Sequence, residues 1–206
     1  MTTWFDGYRV AEHLAAPSGM QAAWLTGQSS FAHSSLSPGQ LAVLDDLEEL
    51  GYRAVRCGFP YNAAALSRPY RKEAAVPASV RNAAQYAAAR HSAHFAREVA
   101  RHLQPMLDAT SRHLLLLLGS CGAQLFAAAY PLLRVPDGLS VHVLAVGPVG
   151  HLPDPPTPYV LRGRYDLLSR LTSPSVAHVV PCGHLGYVRV PEVRAEVRRF
   201  ARETVR

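Results

Sequence analysis

Ser120 and Cys121 stand at the end of five consecutive leucines, Leu114 to Leu118, with Gly119 ahead of them and Gly122 and Ala123 behind. A continuous apolar run of that kind reads as a strand buried on both faces, and the small residues after it read as a tight strand-to-helix turn. A hydroxyl or thiol held out on such a turn is a candidate nucleophile, provided that the positions two before and two after it are small. Cys121 meets that condition on both sides, with Gly119 and Ala123; Ser120 has Gly122 behind it but Leu118 two before it. The steric argument therefore favours Cys121, with Ser120 as the alternative. The same residues also describe a plain Gly-rich turn that packs a helix on a sheet.

Two further residues complete a possible constellation. Asp166 follows the apolar segment Val160-Leu161-Arg162-Gly163, and His184 lies in Pro181-Cys182-Gly183-His184-Leu185-Gly186. Taken singly, the aspartate is a candidate helix N-cap and the histidine a loop residue. Taken together with Cys121 or Ser120 they supply what covalent acyl chemistry needs. A thiol or hydroxyl at its free pKa is mostly protonated, so an imidazole must take its proton and a carboxylate must hold that imidazole in the right tautomer. In this scheme His184 is the base and Asp166 its orienter.

The elements that must position these residues follow from period and punctuation. Gln21 to Thr26 reads as a strand ended by Gly27, and Tyr52 to Cys57 as a second, ended by Gly58. Between them Leu41, Leu44, Leu47 and Leu50 recur at helical spacing behind Ser37 as N-cap and Pro38 at the first helical position. Asn62 to Ala78 has no sustained period. Ser79 to Leu107, unbroken by glycine or proline before Pro105, predicts one helix of about seven to eight turns. After the leucine strand come a helix over Gln124 to Leu133, a strand over Ser140 to Val146 and a strand over Tyr159 to Arg162. A short helix near Leu167 to Leu171, a strand over Val176 to Val180 and a last helix over Pro191 to Thr204 follow. This alternation predicts a single α/β domain over residues 1–206, with a mostly parallel central sheet of about six strands and helices on both faces. Ligands of such sheets bind beyond the carboxyl ends of the strands, which is where Gln28, Cys121, Asp166 and His184 all fall.

Nucleophile, acid and histidine in that chain order resemble the α/β-hydrolase family, over roughly Ala22 to Arg202. The leucine strand with Gly119 to Gln124 resembles that family's nucleophile elbow, Leu161 to Asp166 its strand-Gly-x-x-Asp segment, and Gly183 with His184 its histidine loop. Ser-Cys-Gly-Ala-Gln is similar to the Ser-Leu-Gly-Ala-Gln of some lipase-like members, whereas a cysteine nucleophile resembles dienelactone hydrolase. The resemblance implies an ester, lactone or thioester hydrolase that forms a covalent acyl-enzyme. The oxyanion donors it implies are the N–H of Gln28, in the loop Thr26-Gly27-Gln28, and that of the residue after the nucleophile, Gly122 if Cys121 attacks. Acyl transfer with the same triad, or a non-catalytic binding protein on the same fold, are the alternatives.

Departures from the family are equally legible. Only Gly147 to Pro158, with five prolines, lies where many members insert a lid, so an irregular proline-stiffened connection and an open site are expected. Access would then fall to Ser29–Ser37 and Pro60–Pro77, which contain Phe31, His33, Tyr61, Arg68, Tyr70 and Arg71.

Composition bounds the partners. The chain of 206 residues carries a formal charge of +6, nearly all from arginine, since Lys72 is the only lysine. It has no zinc-finger or RNA-binding pattern and no aromatic-interleaved basic stripe, so the expected partner is a small-molecule substrate and neither nucleic acid nor membrane. His91 and His94 sit at helical spacing without a convincing further ligand, so no metal and no cofactor is expected. Three cysteines, Cys57, Cys121 and Cys182, suit a reducing compartment, and the absence of a secretory h-region suits the cytoplasm.

Overall fold

The computed structural model describes residues 13–30, 33–62, 70–71, 73–173 and 178–205. Six strands form one sheet, all parallel: β1 (Ser18–Thr26), β2 (Arg53–Val55), β3 (Thr110–Gly119), β4 (Ser140–Val146), β5 (Tyr159–Gly163) and β6 (His178–Val180). Their order across the sheet is β2-β1-β3-β4-β5-β6. The chain thus steps from β1 to β2 on one side, then crosses back to lay β3 on the other side of β1. This puts the reversal of winding between β1 and β3, whose ends are in register at Thr26 and Gly119.

The leucine strand is the centre of both cores. Leu114, Leu116 and Leu118 pack with Phe95, Val99 and Leu103 of α3 (Ala93–Asp108) and with Phe126 of α4 (Gly122–Ala129). Leu115 and Leu117 face the other way, onto Leu44 and Leu47 of α1 (Pro38–Glu48) and Val193 and Val197 of α6 (Pro191–Glu203). Alternation with a period of two explains why the run carries no polar residue: each side chain meets a helix layer. Its five leucines are fully buried.

Local chemistry fixes the helices. Ser37 closes a capping box with Gln40 at the start of α1, behind Pro38. On the same side of the sheet Arg194 of α6 makes a bidentate pair with Asp46 of α1 at 2.7 and 2.8 Å, and Arg198 adds a bond of 3.0 Å. The Arg194 guanidinium, with Arg198, holds the Asp46 carboxyl below its ordinary range.

Ser79 to Leu107 is not one helix. Helix α2 (Ala75–His91) ends at Ser92, which takes an extended conformation, φ −120° and ψ 107°, and α3 begins after it. The Ser92 hydroxyl accepts the N–H of Phe95 at 3.2 Å, so a serine ends one helix and caps the next without glycine or proline. The break places His91 and His94 on different helices. It also re-aims the apolar stripe Phe95, Val99, Leu103 and Met106 onto β3. Pro105 is accommodated inside α3, which runs on to Asp108.

No helix or strand occupies residues 147–158, as the prolines predict. Among the described residues no helix is long and apolar enough to cross a membrane.

Because the Ser92 hydroxyl satisfies an N–H at the head of α3, Ser92→Ala is expected to lower stability by about 1 kcal/mol. Urea unfolding measures this as a lower midpoint at unchanged slope, and an unchanged midpoint would refute the cap.

Candidate active site

Ser120 is the apex of the turn after β3. It holds φ 51°, a left-handed conformation that side chains other than glycine rarely adopt, whereas Cys121 is ordinary at φ −68°. The strained residue is pinned on both sides: its N–H donates to the carbonyl of Val146 at 3.3 Å, and its carbonyl accepts the N–H of Val149 at 2.9 Å. The turn then enters α4 at Gly122. A Cβ added there would lie 1.9 Å from the carbonyl oxygen of Leu25, in the backbone of β1, so no residue but glycine fits.

These facts correct the steric expectation that put Cys121 at the apex. The small residue that the turn requires is Gly122, two after Ser120. Leu118, two before it, causes no clash because its side chain is sunk into the core with Leu25 and Phe126. Cys121 is 2% exposed and packs under Gly27, whose added Cβ would lie 2.2 Å from the Cys121 sulfur. Burial pushes its thiol up to about 12, which favours the protonated form over the thiolate.

Ser120, His184 and Asp166 form a hydrogen-bonded chain. The Ser120 Oγ lies 3.1 Å from His184 Nε2, and His184 Nδ1 lies 2.9 Å from Asp166 Oδ2. A carboxylate only accepts, so the imidazole proton belongs on Nδ1, which leaves the Nε2 lone pair facing the serine hydroxyl. Asp166 is fully buried, while the His184 side chain is 23% exposed.

Asp166 is also the N-cap of α5 (Leu167–Thr172): its Oδ1 accepts the N–H of Ser169 at 2.9 Å. Capping and orienting the histidine are shared between the two oxygens of one carboxylate. A third donor, not anticipated from the sequence, is Tyr187, whose hydroxyl donates to Asp166 Oδ2 at 2.6 Å and accepts the N–H of Gly163 at 2.6 Å. Burial pushes the Asp166 carboxyl up, but the Ser169 N–H, Tyr187 and His184 together outweigh it and leave the pKa below the usual carboxylate range. Tyr187 is shifted the other way, by burial first and then by its bond to the carboxylate. Only a tyrosine three residues after His184 could have hinted at this, and that spacing has no special meaning.

The N–H that follows Ser120 in the chain is that of Cys121, and Gly122 lies against the backbone of β1. The N–H of Gln28 donates to Gln85 Oε1 of α2 at 2.7 Å. Cys182 is buried near Asp166, whose charge adds to burial in raising its thiol pKa. Of the access residues, Tyr61 is fully buried and donates to the Trp24 carbonyl at 3.0 Å, which makes it a core residue. His33 stands edge-on to Tyr70, and Tyr70 and Arg71 are exposed. Phe31 and Arg68 lie outside the described residues.

The lowered Asp166 pKa stabilises the fold at pH above the ordinary carboxylate value, and that contribution is lost as pH falls through the folded-state value. Tyr187→Phe removes one of the donors that lower it. The acid-unfolding midpoint should therefore move to higher pH, with a loss of about 1–3 kcal/mol near neutrality. Circular dichroism against pH checks this; an unmoved midpoint would show that Tyr187 does not support the carboxylate.

No protein-family model and no curated protein matches the chain. Among solved structures it is similar to an alpha-beta serine hydrolase homologue from Coxiella burnetii, with 12% sequence identity and a TM-score of 0.47 over 91% of this chain and 88% of that one.

Proposed function

We propose that this chain is a serine hydrolase of the α/β-hydrolase family, cleaving an ester, lactone or thioester through an acyl-Ser120 intermediate. The observation that carries this reading is the alignment of Ser120 Oγ, His184 and the buried Asp166 at 3.1 and 2.9 Å. As the Ser120 oxygen attacks the acyl carbon, its proton passes to His184 Nε2, and Asp166 stabilises the imidazolium that forms. The leaving alcohol or thiol takes that proton from Nε2. Water, deprotonated by the same nitrogen, then attacks the acyl-serine and regenerates the hydroxyl. The negative oxygen of each tetrahedral intermediate needs N–H donors beside the elbow, of which the Cys121 N–H is one by position. The left-handed backbone at Ser120 supports the reading too, since strain of that kind gathers where a side chain must be presented at a fixed angle.

The irregular connection over 147–158, with no helical lid between β4 and β5, favours small acyl esters as substrates.

Ser120→Ala and His184→Ala are each expected to lower hydrolysis of p-nitrophenyl acetate by at least about 10³-fold and to abolish labelling by a fluorophosphonate. Cys121→Ala should keep activity within about tenfold, because its thiol is buried and neutral. Mass mapping of the label decides the matter: modification of Cys121, or retained turnover in Ser120→Ala, would overturn the assignment.

A further inference from the structure

Resting on that hydrolase reading, we infer that Gln85 is a positioning residue: its carboxamide holds the Gln28 N–H away from the reaction, and turnover requires a swap of partners between two glutamines. Gln28 follows β1, whose end is paired with that of β3, and Gly27 covers Cys121, so this loop lies beside the turn that presents Ser120. Facing it from α2 are Asn82 and Gln85, one turn apart. Gln85 is fully buried and Gln28 is 5% exposed.

The pairing has a fixed sense. An N–H at 2.7 Å must point at an oxygen, so it is Gln85 Oε1 that accepts from the Gln28 backbone. The Gln85 amino group is thereby turned to Gln28 Oε1, at 2.6 Å. This leaves Gln28 Nε2 buried with no partner among the described residues, and Asn82 Oδ1 is likewise buried and unpartnered. An unmet buried donor costs free energy, and such groups mark places where a structure has a second arrangement.

The second arrangement is already half built. The Gln85 Nε2 to Gln28 Oε1 bond is one of the two bonds of a cyclic carboxamide pair; the other would run from Gln28 Nε2 to Gln85 Oε1. If Gln85 Oε1 moves from the backbone N–H to the side-chain Nε2, the orphaned donor is satisfied and the Gln28 N–H is released. In the resting arrangement Gln85 Oε1 takes the place on that N–H that a substrate oxyanion would claim. Two hydrogen bonds become three when the oxyanion arrives: it takes the backbone N–H, and the two carboxamides close their ring. Release costs little, and only when an oxyanion is there to accept.

The test is the rate of phosphonylation of Ser120 by a fluorophosphonate, together with kcat and KM on p-nitrophenyl acetate and the melting temperature of each variant. Gln85→Met frees the N–H and is expected to raise the phosphonylation rate and kcat by about threefold or more, even while the melting temperature falls. Gln28→Met deletes the second partner, leaves Gln85 with the backbone alone, and is expected to lower kcat by about tenfold with KM little changed. Gln85→Glu, whose charged oxygen holds the N–H more strongly, should also lower kcat. A Gln85→Met variant that folds but labels no faster than the wild type overturns the swap while leaving the hydrolase reading intact. If Gln85→Met does not fold, equal kcat in Gln28→Met and wild type overturns it. A wild type that is never labelled at Ser120 removes both readings.

Discussion

The contact between Gly122 and the carbonyl of Leu25 is the constraint on which the rest of the site depends. With a Cβ excluded at 1.9 Å, the first turn of α4 lies directly against the backbone of β1. That approach forces the chain to leave β3 and enter the helix within three residues, and the left-handed backbone at Ser120 is the local consequence. It also draws the end of β1, with Gly27 and Gln28, over the elbow. The serine, the loop beside it and the glutamine pair behind that loop all follow from one missing methyl group. The strain is held by the leucine strand, which is buried on both faces and locked between two parallel neighbours.

A second constraint acts at the far side of the sheet, where β5 and β6 deliver Asp166 and His184. A carboxylate removed from water is costly unless each lone pair finds a donor. Here a helix start, a tyrosine and the imidazole itself provide them. The helix start matters mechanically too. Because α5 begins on Asp166, the carboxylate is fixed to a backbone element rather than to a mobile loop, so the histidine is oriented by something rigid.

Much of this was legible in residues. The parallel sheet of six strands, the caps of α1, the lidless connection and the positions of Asp166 and His184 beyond their strands follow from periodicity and from glycine and proline punctuation. What failed did so for identifiable reasons. Ser92 breaks a helix by capping, which a search for glycine and proline overlooks. The choice between Cys121 and Ser120 turned on whether a leucine can stand two residues before the apex. It can, because Leu118 points into the core, and a spacing rule carries no direction. Tyr187 and Gln85 meet their partners across 21 and 57 residues of chain, through tertiary packing that no local pattern encodes.

The cysteine beside the serine then has a physical explanation that does not require it to react. The position after the apex is sealed beneath Gly27, where the next glycine already abuts β1. A hydroxyl there would be buried and would need a partner, while a larger apolar side chain would lift the Gly27 loop off the elbow. A thiol is small, and burial, which outweighs its backbone contacts with Gly27 and with its own main chain, raises its pKa to about 12. The burial that raises the Cys121 thiol pKa also lets it fill the space that keeps the loop seated, so the two adjacent residues differ in setting: Ser120 is strained and faces the histidine, and Cys121 is relaxed and packs.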